Sequence, residues 1–311
     1  MGAGQVASTP QRARKAVIPA AGLATRFLPA SKAVPKELFP VVDKPALQYI
    51  VEEAAASSIA DVLLITGRGK SSIVDHFDRR LDLEAQLEAK GDDDRLEAVR
   101  HPTELATIHS SRQPEMLGLG HAVLCAEDHV GAAPFAVMLG DDLIDERDLI
   151  LPRMLDLQAG RGGIVLLLME VPYEEVHKYG VASVEKTDET DVVRITGLVE
   201  KPPREQAPSN LTVVGRYVLP AGIFDAIRQT PPGRGGEIQL TDAMVHMMKG
   251  GVPVHGVVFR GRRYDTGQPE GYLKALVQIA CAHPDIGPAM REWLAQYVEQ
   301  EIKGVDQGFT P

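Results

Sequence analysis

Arg26, Lys32 and Lys36 crowd three cations into residues 26–36, and Pro29 and Pro35 restrict the backbone between them. Just upstream, Gly22 lets a ligand come close to the backbone because no Cβ intervenes. A guanidinium fork matches phosphate oxygens and an ammonium supplies a mobile point charge, so this stretch suits a polyphosphate. The competing reading is a set of solvated surface cations. Two familiar phosphate motifs are absent. The dinucleotide fingerprint G-x-G-x-x-G fails at Ala24 and Phe27, and G-x-x-x-x-G-K-S/T is missing as well.

Asp141 follows the apolar run 135–139, and Asp265 comes shortly after the run 254–259. Carboxylates at strand ends offer the hard oxygen donors that Mg2+ takes, and they serve equally as turn or helix caps. Asp142 reads as a supporting or capping residue. Glu200-Lys201 closes the stretch 192–199 ahead of Pro202 and Pro203; alone, it reads as a surface pair. No Ser-His-Asp or Cys-His arrangement is apparent. The nine histidines form no H-x-x-x-H and no Cys/His cluster, with His101 and His109 expected to flank a turn and His121 to open a helix. Transition-metal binding is therefore not expected.

The elements that must position these groups read as an α/β pattern. Buried strands are expected at 15–19, 62–66, 135–139, 164–169, 192–199, 211–218 and 254–259, from short apolar, β-branched runs. Residues 47, 50, 51, 54 and 55 make one apolar helical face behind Pro45, and strand–helix–strand in that order implies a right-handed parallel crossover. Further helices are expected at 120–128, 220–229, 240–249, 269–281 and 288–302. The charged segment 78–100 reads as an exposed helical hairpin. The fold class is thus a Rossmann-like, mostly parallel, mixed sheet flanked by helices, with a helical C-terminal tail. Residues 1–14 read as a flexible arm and 15–311 as one domain, its sheet core over about 15–260 and its helical part over about 268–303.

Composition narrows the partners. The chain has 311 residues, 33 basic against 43 acidic side chains, a formal charge of −10 and 44% hydrophobic content. An acidic balance argues against nucleic acid or anionic lipid as the main partner. Two isolated cysteines, Cys125 and Cys281, give no disulfide framework, and no run approaches the ~18 apolar residues of a membrane span. A cytoplasmic protein is expected.

The stretch 15–45 (KAVIPAAGLATRFLPASKAVPKELFPVVDKP) resembles the signature of bacterial UDP-glucose pyrophosphorylases, the UTP–glucose-1-phosphate uridylyltransferases among sugar-1-phosphate nucleotidyltransferases. Arg112-Gln113, Gly118-Leu-Gly-His-Ala122, Gly140-Asp141-Asp142, Val199-Glu-Lys-Pro202, Val214-Gly-Arg-Tyr-Val218, Gly236-Glu-Ile-Gln-Leu-Thr-Asp242 and Tyr264-Asp-Thr-Gly267 extend the resemblance over about 15–300. It implies the nucleotidyltransferase fold and direct in-line attack of glucose 1-phosphate on the α-phosphorus of UTP, with pyrophosphate leaving. It implies catalytic roles for Arg26, Lys36 and Lys201, and nucleotide binding by Ala21, Gly22, Thr25, Gln113 and Gly118. Gly180, Glu200, Lys201, Val214 and Gly215 would hold the sugar phosphate, and Asp141 and Asp265 would hold Mg2+. A homodimer or homotetramer is implied. Two alternatives stay open: the same chemistry with dTTP or another sugar 1-phosphate, and a catalytically silent sugar-nucleotide-binding subunit. The family has glycine where Ala24 stands. Ala24 is expected at negative φ, with its methyl only narrowing the nucleotide site.

Overall fold

The computed structural model describes residues 11–302. Of the arm expected over 1–14, residues 1–10 lie outside the described residues. Residues 11–14 run against the core. Ala13 is buried, and Arg12 donates to Asp156 at 2.7 Å and to the Ser57 carbonyl at 3.1 Å.

The strands, in chain order, are β1 (Lys15–Ala20), β2 (Pro40–Val41), β3 (Lys44–Pro45), β4 (Asp61–Thr66), β5 (Thr107–Arg112), β6 (Phe135–Met138), β7 (Asp142–Ile144), β8 (Ile164–Glu170), β9 (Gly180–Lys186), β10 (Val192–Glu200), β11 (Leu211–Leu219), β12 (Val254–Phe259) and β13 (Arg263–Asp265). The α-helices are α1 (Ala46–Ala56), α2 (Ser71–Asp75), α3 (Leu81–Lys90), α4 (Asp93–Glu104), α5 (Leu119–Leu124), α6 (Glu127–Val130), α7 (Leu151–Arg161), α8 (Ile223–Gln229), α9 (Leu240–Lys249), α10 (Pro269–Ala282) and α11 (Gly287–Tyr297).

Nine strands form one mixed sheet in the order β5-β4-β1-β6-β11-β8-β12-β10-β9. Its first four strands are parallel, as are β8 and β12, while β11, β10 and β9 pair antiparallel. Alternate residues of each strand point to opposite faces. Ala16, Ile18, Val62 and Leu64 face one apolar layer with α1, α7 and Ala275 of α10. Val17, Leu63, Ile65 and Phe135 face the other, with α5, α8 and α9. Helix α1 buries Leu47, Ile50, Val51 and Ala54, the expected face, with Pro45 as its N-cap.

The chain leaves β1 for β4 on one side, and β6 lies on the other. Such a switch point opens a crevice beyond the strands' carboxyl ends, where α/β sheets take ligands. The short antiparallel ladder β7–β13 sits over it and sets Asp265 opposite Asp142. Segment 78–100 is the expected helical hairpin, α3 and α4. Strands β2, β3, β5, β7, β9 and β13 and helix α7 were not expected, and His101 lies within α4 while His109 lies within β5.

An ion pair is sealed in this core. Arg216 of β11 is fully buried and donates to both carboxylate oxygens of Glu53 on α1, at 3.0 and 3.1 Å from Nε, and to the Gly215 carbonyl at 3.1 Å. Removing one buried partner leaves the other charge uncompensated, whereas apolar replacement of both can be neutral. Glu53→Gln is expected to cost about 3–5 kcal/mol in denaturant unfolding. The double replacement Glu53→Leu with Arg216→Met should recover most of that loss. A single variant as stable as the parent would show that the pair carries no such burden.

Candidate active site

The loop leaving β1 turns through three single-turn 3-10 segments, Thr25–Phe27, Ala30–Lys32 and Lys36–Leu38. It enters them through Ala24, whose φ of 51° and ψ of 42° are left-handed. This corrects the expectation of a negative φ. The position requires the conformation glycine adopts freely, and the Ala24 carbonyl is held there by the Ser31 hydroxyl at 2.8 Å. Phe27, Phe39 and Tyr272 of α10 meet edge-on or tilted, with ring centres 5.3–6.0 Å apart, and pin the loop to the C-terminal helices. Beneath it, Lys70 donates to both oxygens of buried Glu37, at 3.1 and 3.0 Å, and to the Ala20 carbonyl at 2.6 Å. Burial lowers the Lys70 pKa, and Glu37 pulls against that shift.

Next to this loop lies a cleft of about 630 Å³, lined by Arg26, Asp141, Glu200, Lys201, Val214, Gly215 and Asp265 among others. Lys36 reaches it by donating to Asp141 Oδ2 at 2.5 Å. Burial would raise the Asp141 pKa, but the Lys36 charge and hydrogen bond outweigh it and hold the carboxyl below its ordinary range. Asp265 is shifted upward, chiefly by burial. Both carboxylates close on one spot: a Cβ at Gly267 would stand 2.6 Å from Asp141 Oδ2 and 3.1 Å from Asp265 Oδ1. Two convergent carboxylates with no Cβ between them suit a hard divalent cation.

Asp142 does not point at that spot. It accepts the Gly215 N–H at 2.6 Å and a bidentate contact from Arg263, so it is the supporting residue expected. Burial opposes the Arg263 charge, yet Asp142 keeps this guanidinium above its ordinary pKa. Gly215 is glycine for a steric reason, since a Cβ there would sit 2.6 Å from Asp142 Oδ2.

On the far wall, Glu200 ends β10, accepts from Thr241 at 2.7 Å and pairs with Lys201 at 3.2 Å. Lys201 is left-handed, with φ of 44°. Gly180 opens β9 directly beside Glu200, leaving about 3.3 Å between the site of a Cβ and Glu200 Oε2. A second group gathers at the ends of β1, β4 and β5. Gln113 continues from β5, its side chain donating to the Gly118 carbonyl at 3.1 Å. Ala21 approaches Gly67, and the space at Gly22 is open. Gly118, at φ of 93°, lies against Glu237, which lines the cleft. Thr25 is exposed at the start of its 3-10 turn, outside the residues lining the cleft.

Sequence reasoning missed Arg263, Gly267, Tyr179 and Gln268 on this wall. The alternation Arg263-x-Asp265 was the available signal, because residues two apart on a strand share a face.

The family model for nucleotidyl transferases matches residues 15–281. The chain belongs to the nucleotidyl transferase family. It is 48% identical over 293 residues to a UTP–glucose-1-phosphate uridylyltransferase of Bacillus subtilis, covering 94% of this chain and 97% of that one. A Staphylococcus epidermidis enzyme of the same name is 43% identical over 286 residues, 92% of this chain and 99% of its own. Among solved structures, the UTP-bound pyrophosphorylase of Acinetobacter baumannii matches with a TM-score of 0.84 at 41% identity, over 91% of this chain and 99% of that one. A UDP-glucose pyrophosphorylase complexed with UDP-glucose matches at 0.78 and 40%, over 87% and 100%.

Two outcomes test the geometry of this nucleotidyl transferase. Ala24→Gly should stabilise the fold by about 1 kcal/mol in denaturant unfolding, because it relieves a left-handed alanine. A loss of stability would show that residue 24 does not hold this φ in solution. Gly267→Ala should weaken divalent-cation binding at least tenfold by calorimetry, about 1.4 kcal/mol, with little change in Tm. Unchanged affinity would show that the cation does not bind between Asp141 and Asp265.

Proposed function

We propose that this nucleotidyl transferase forms UDP-glucose and pyrophosphate from UTP and glucose 1-phosphate. The observation that carries the proposal is the convergence of the Asp141 and Asp265 carboxylates at Gly267, in the cleft that Arg26, Lys36 and Lys201 also reach. The relatives' names supply the substrate class, and the retained cations and carboxylates favour an active enzyme over a silent binding subunit.

In this reading the reaction is a direct displacement. A phosphate oxygen of glucose 1-phosphate attacks the α-phosphorus in line, and the bond to the bridging oxygen of pyrophosphate breaks. The nucleophile is already anionic, so no general base is required, and catalysis rests on positioning and charge neutralisation. Lys201 grips the attacking phosphate while Glu200 accepts hydrogen bonds from glucose hydroxyls. Gly180, Val214 and Gly215 shape the sugar pocket. Arg26 and Lys36 neutralise the leaving pyrophosphate. Lys36 is paired with Asp141 in this structure, and exchanging that partner frees its ammonium for phosphate oxygens. Ala21, Gly22, Thr25, Gln113 and Gly118 take the nucleoside. Asp141 and Asp265 would hold Mg2+, which would supply charge withdrawal at the α-phosphate.

The proposal treats the chain from Lys15 onward as one nucleotidyltransferase domain that works in the cytoplasm as a homodimer or homotetramer. Two free cysteines are consistent with a reducing compartment, and no described helix is long and apolar enough to cross a membrane. Exposed Leu273, Val277, Trp293 and Tyr297 on α10 and α11 offer a subunit contact.

Pyrophosphate release with glucose 1-phosphate and Mg2+, comparing UTP, dTTP, ATP and GTP, tests the reading. UTP is expected to give the highest kcat/KM. Preference for dTTP or ATP would overturn the nucleotide assignment, and folded protein releasing none would overturn the enzymatic one.

A further inference from the structure

Asp61, His109 and His129 come together at the other end of the sheet from the cleft. Asp61 opens β4, His109 lies in β5 on the adjoining strand, and His129 comes from α6. Their donor atoms all lie within 4.8 Å of one another. His129 Nε2 stands 2.7 Å from Asp61 Oδ1, and His109 Nε2 stands 3.8 Å from the same oxygen. The two imidazoles are tilted, with ring centres 4.6 Å apart. For nitrogen and oxygen donors about 2.0–2.1 Å from a tetrahedral ion, neighbouring donors are separated by about 3.3 Å. The two separations from Asp61 Oδ1 bracket that value, and the imidazole nitrogens, within 4.8 Å of each other, would close toward it as side chains rotate onto one ion.

A cation borders the triad, and its charge works against a second positive charge there. Lys15 lies 3.7 Å from Asp61 Oδ2, the carboxylate oxygen that does not face the histidines, and donates to the His129 carbonyl at 2.5 Å. Oδ1 is thereby left to the imidazoles. All three donor side chains are partly open to solvent, at 32%, 45% and 23% of their surface, so an ion can reach them.

We propose that Asp61, His109 and His129 form a binding site for a divalent transition cation of the zinc class, distinct from the carboxylate site in the cleft. Two imidazoles with one carboxylate favour Zn2+ over Mg2+, which takes oxygen donors and holds its waters. Coordination through His129 Nε2 requires its proton on Nδ1. The bound ion would tie α6 to the amino-terminal ends of β4 and β5, far from the reacting phosphates. This site stands independently of the proposed substrate specificity. Its histidines are 48 and 68 residues from Asp61 in the chain, which is why no spacing motif announces it.

The test is calorimetric titration of the full chain, without a polyhistidine tag, with Zn2+ in excess Mg2+, so that the cleft carboxylates are occupied. The parent is expected to bind one equivalent. His109→Gln and His129→Gln should each weaken binding at least tenfold, and Asp61→Asn provides a third variant if either histidine replacement misfolds. Thermal melting without Zn2+ verifies the fold, and Mg2+-dependent turnover of the variants should remain that of the parent. Absence of Zn2+ binding by the parent, or binding unchanged in folded variants, overturns the proposal.

Discussion

Asp142 carries the contact on which the cleft depends. It receives the backbone N–H of Gly215 and the guanidinium of Arg263, so one buried carboxylate joins β7, β11 and β13. Those strands bring Val214 and Gly215 to the cleft, together with Asp141 and Asp265. A buried carboxylate left alone would be costly, and a buried guanidinium equally so. Together they satisfy each other, and their exchange of hydrogen bonds fixes three backbones to within bonding distance.

Charge is interleaved throughout the site on the same pattern. Lys70 lies under the phosphate loop with Glu37, Lys36 against Asp141, Lys201 against Glu200 and Arg263 against Asp142. The pairs differ in burial, and this difference separates their functions. Glu37–Lys70 is nearly sealed and acts as a foundation. Lys36 and Lys201 are more open, and in the proposed reaction they would trade a carboxylate partner for phosphate oxygens. Both walls also hold a non-glycine residue in a left-handed conformation, Ala24 and Lys201. Such conformations persist only where the surroundings impose them, and Val42 and Ser58, outside the cleft lining, share them.

The sequence revealed those parts of the molecule whose signal is local. Runs such as Val62–Ile65 and Ile164–Leu168 are apolar throughout because both sheet faces are covered, and they read directly as strands. Arg26, Asp141, Glu200, Lys201 and Asp265 drew notice because they sit in dense motifs of the first loop and of strand ends, and the structure places them on the cleft, with Lys36 reaching Asp141 there. Strand β5 (Thr107–Arg112) was not, since it lies at the sheet edge and carries polar, exposed residues. The pairing of Arg263 with Asp142, 121 residues apart, has no local trace either. Ala24 was misjudged for a related reason: its φ is imposed by Ser31 and the turns that follow, and the residue type gives no hint of it. The Asp61–His109–His129 triad was invisible on the same grounds, because the pairing of β4 with β5 and the packing of α6 bring its members together.

The aromatic trio Phe27, Phe39 and Tyr272 has a thermodynamic implication. It is a packed joint between the phosphate loop and α10, reinforced by the Tyr272 hydroxyl on the Pro40 carbonyl at 2.7 Å. Helix α10 also carries the exposed apolar side chains Leu273 and Val277. A ligand at the loop and a contact on that outer surface would meet through this joint, and any effect of one on the affinity of the other would be reciprocal, by the same factor.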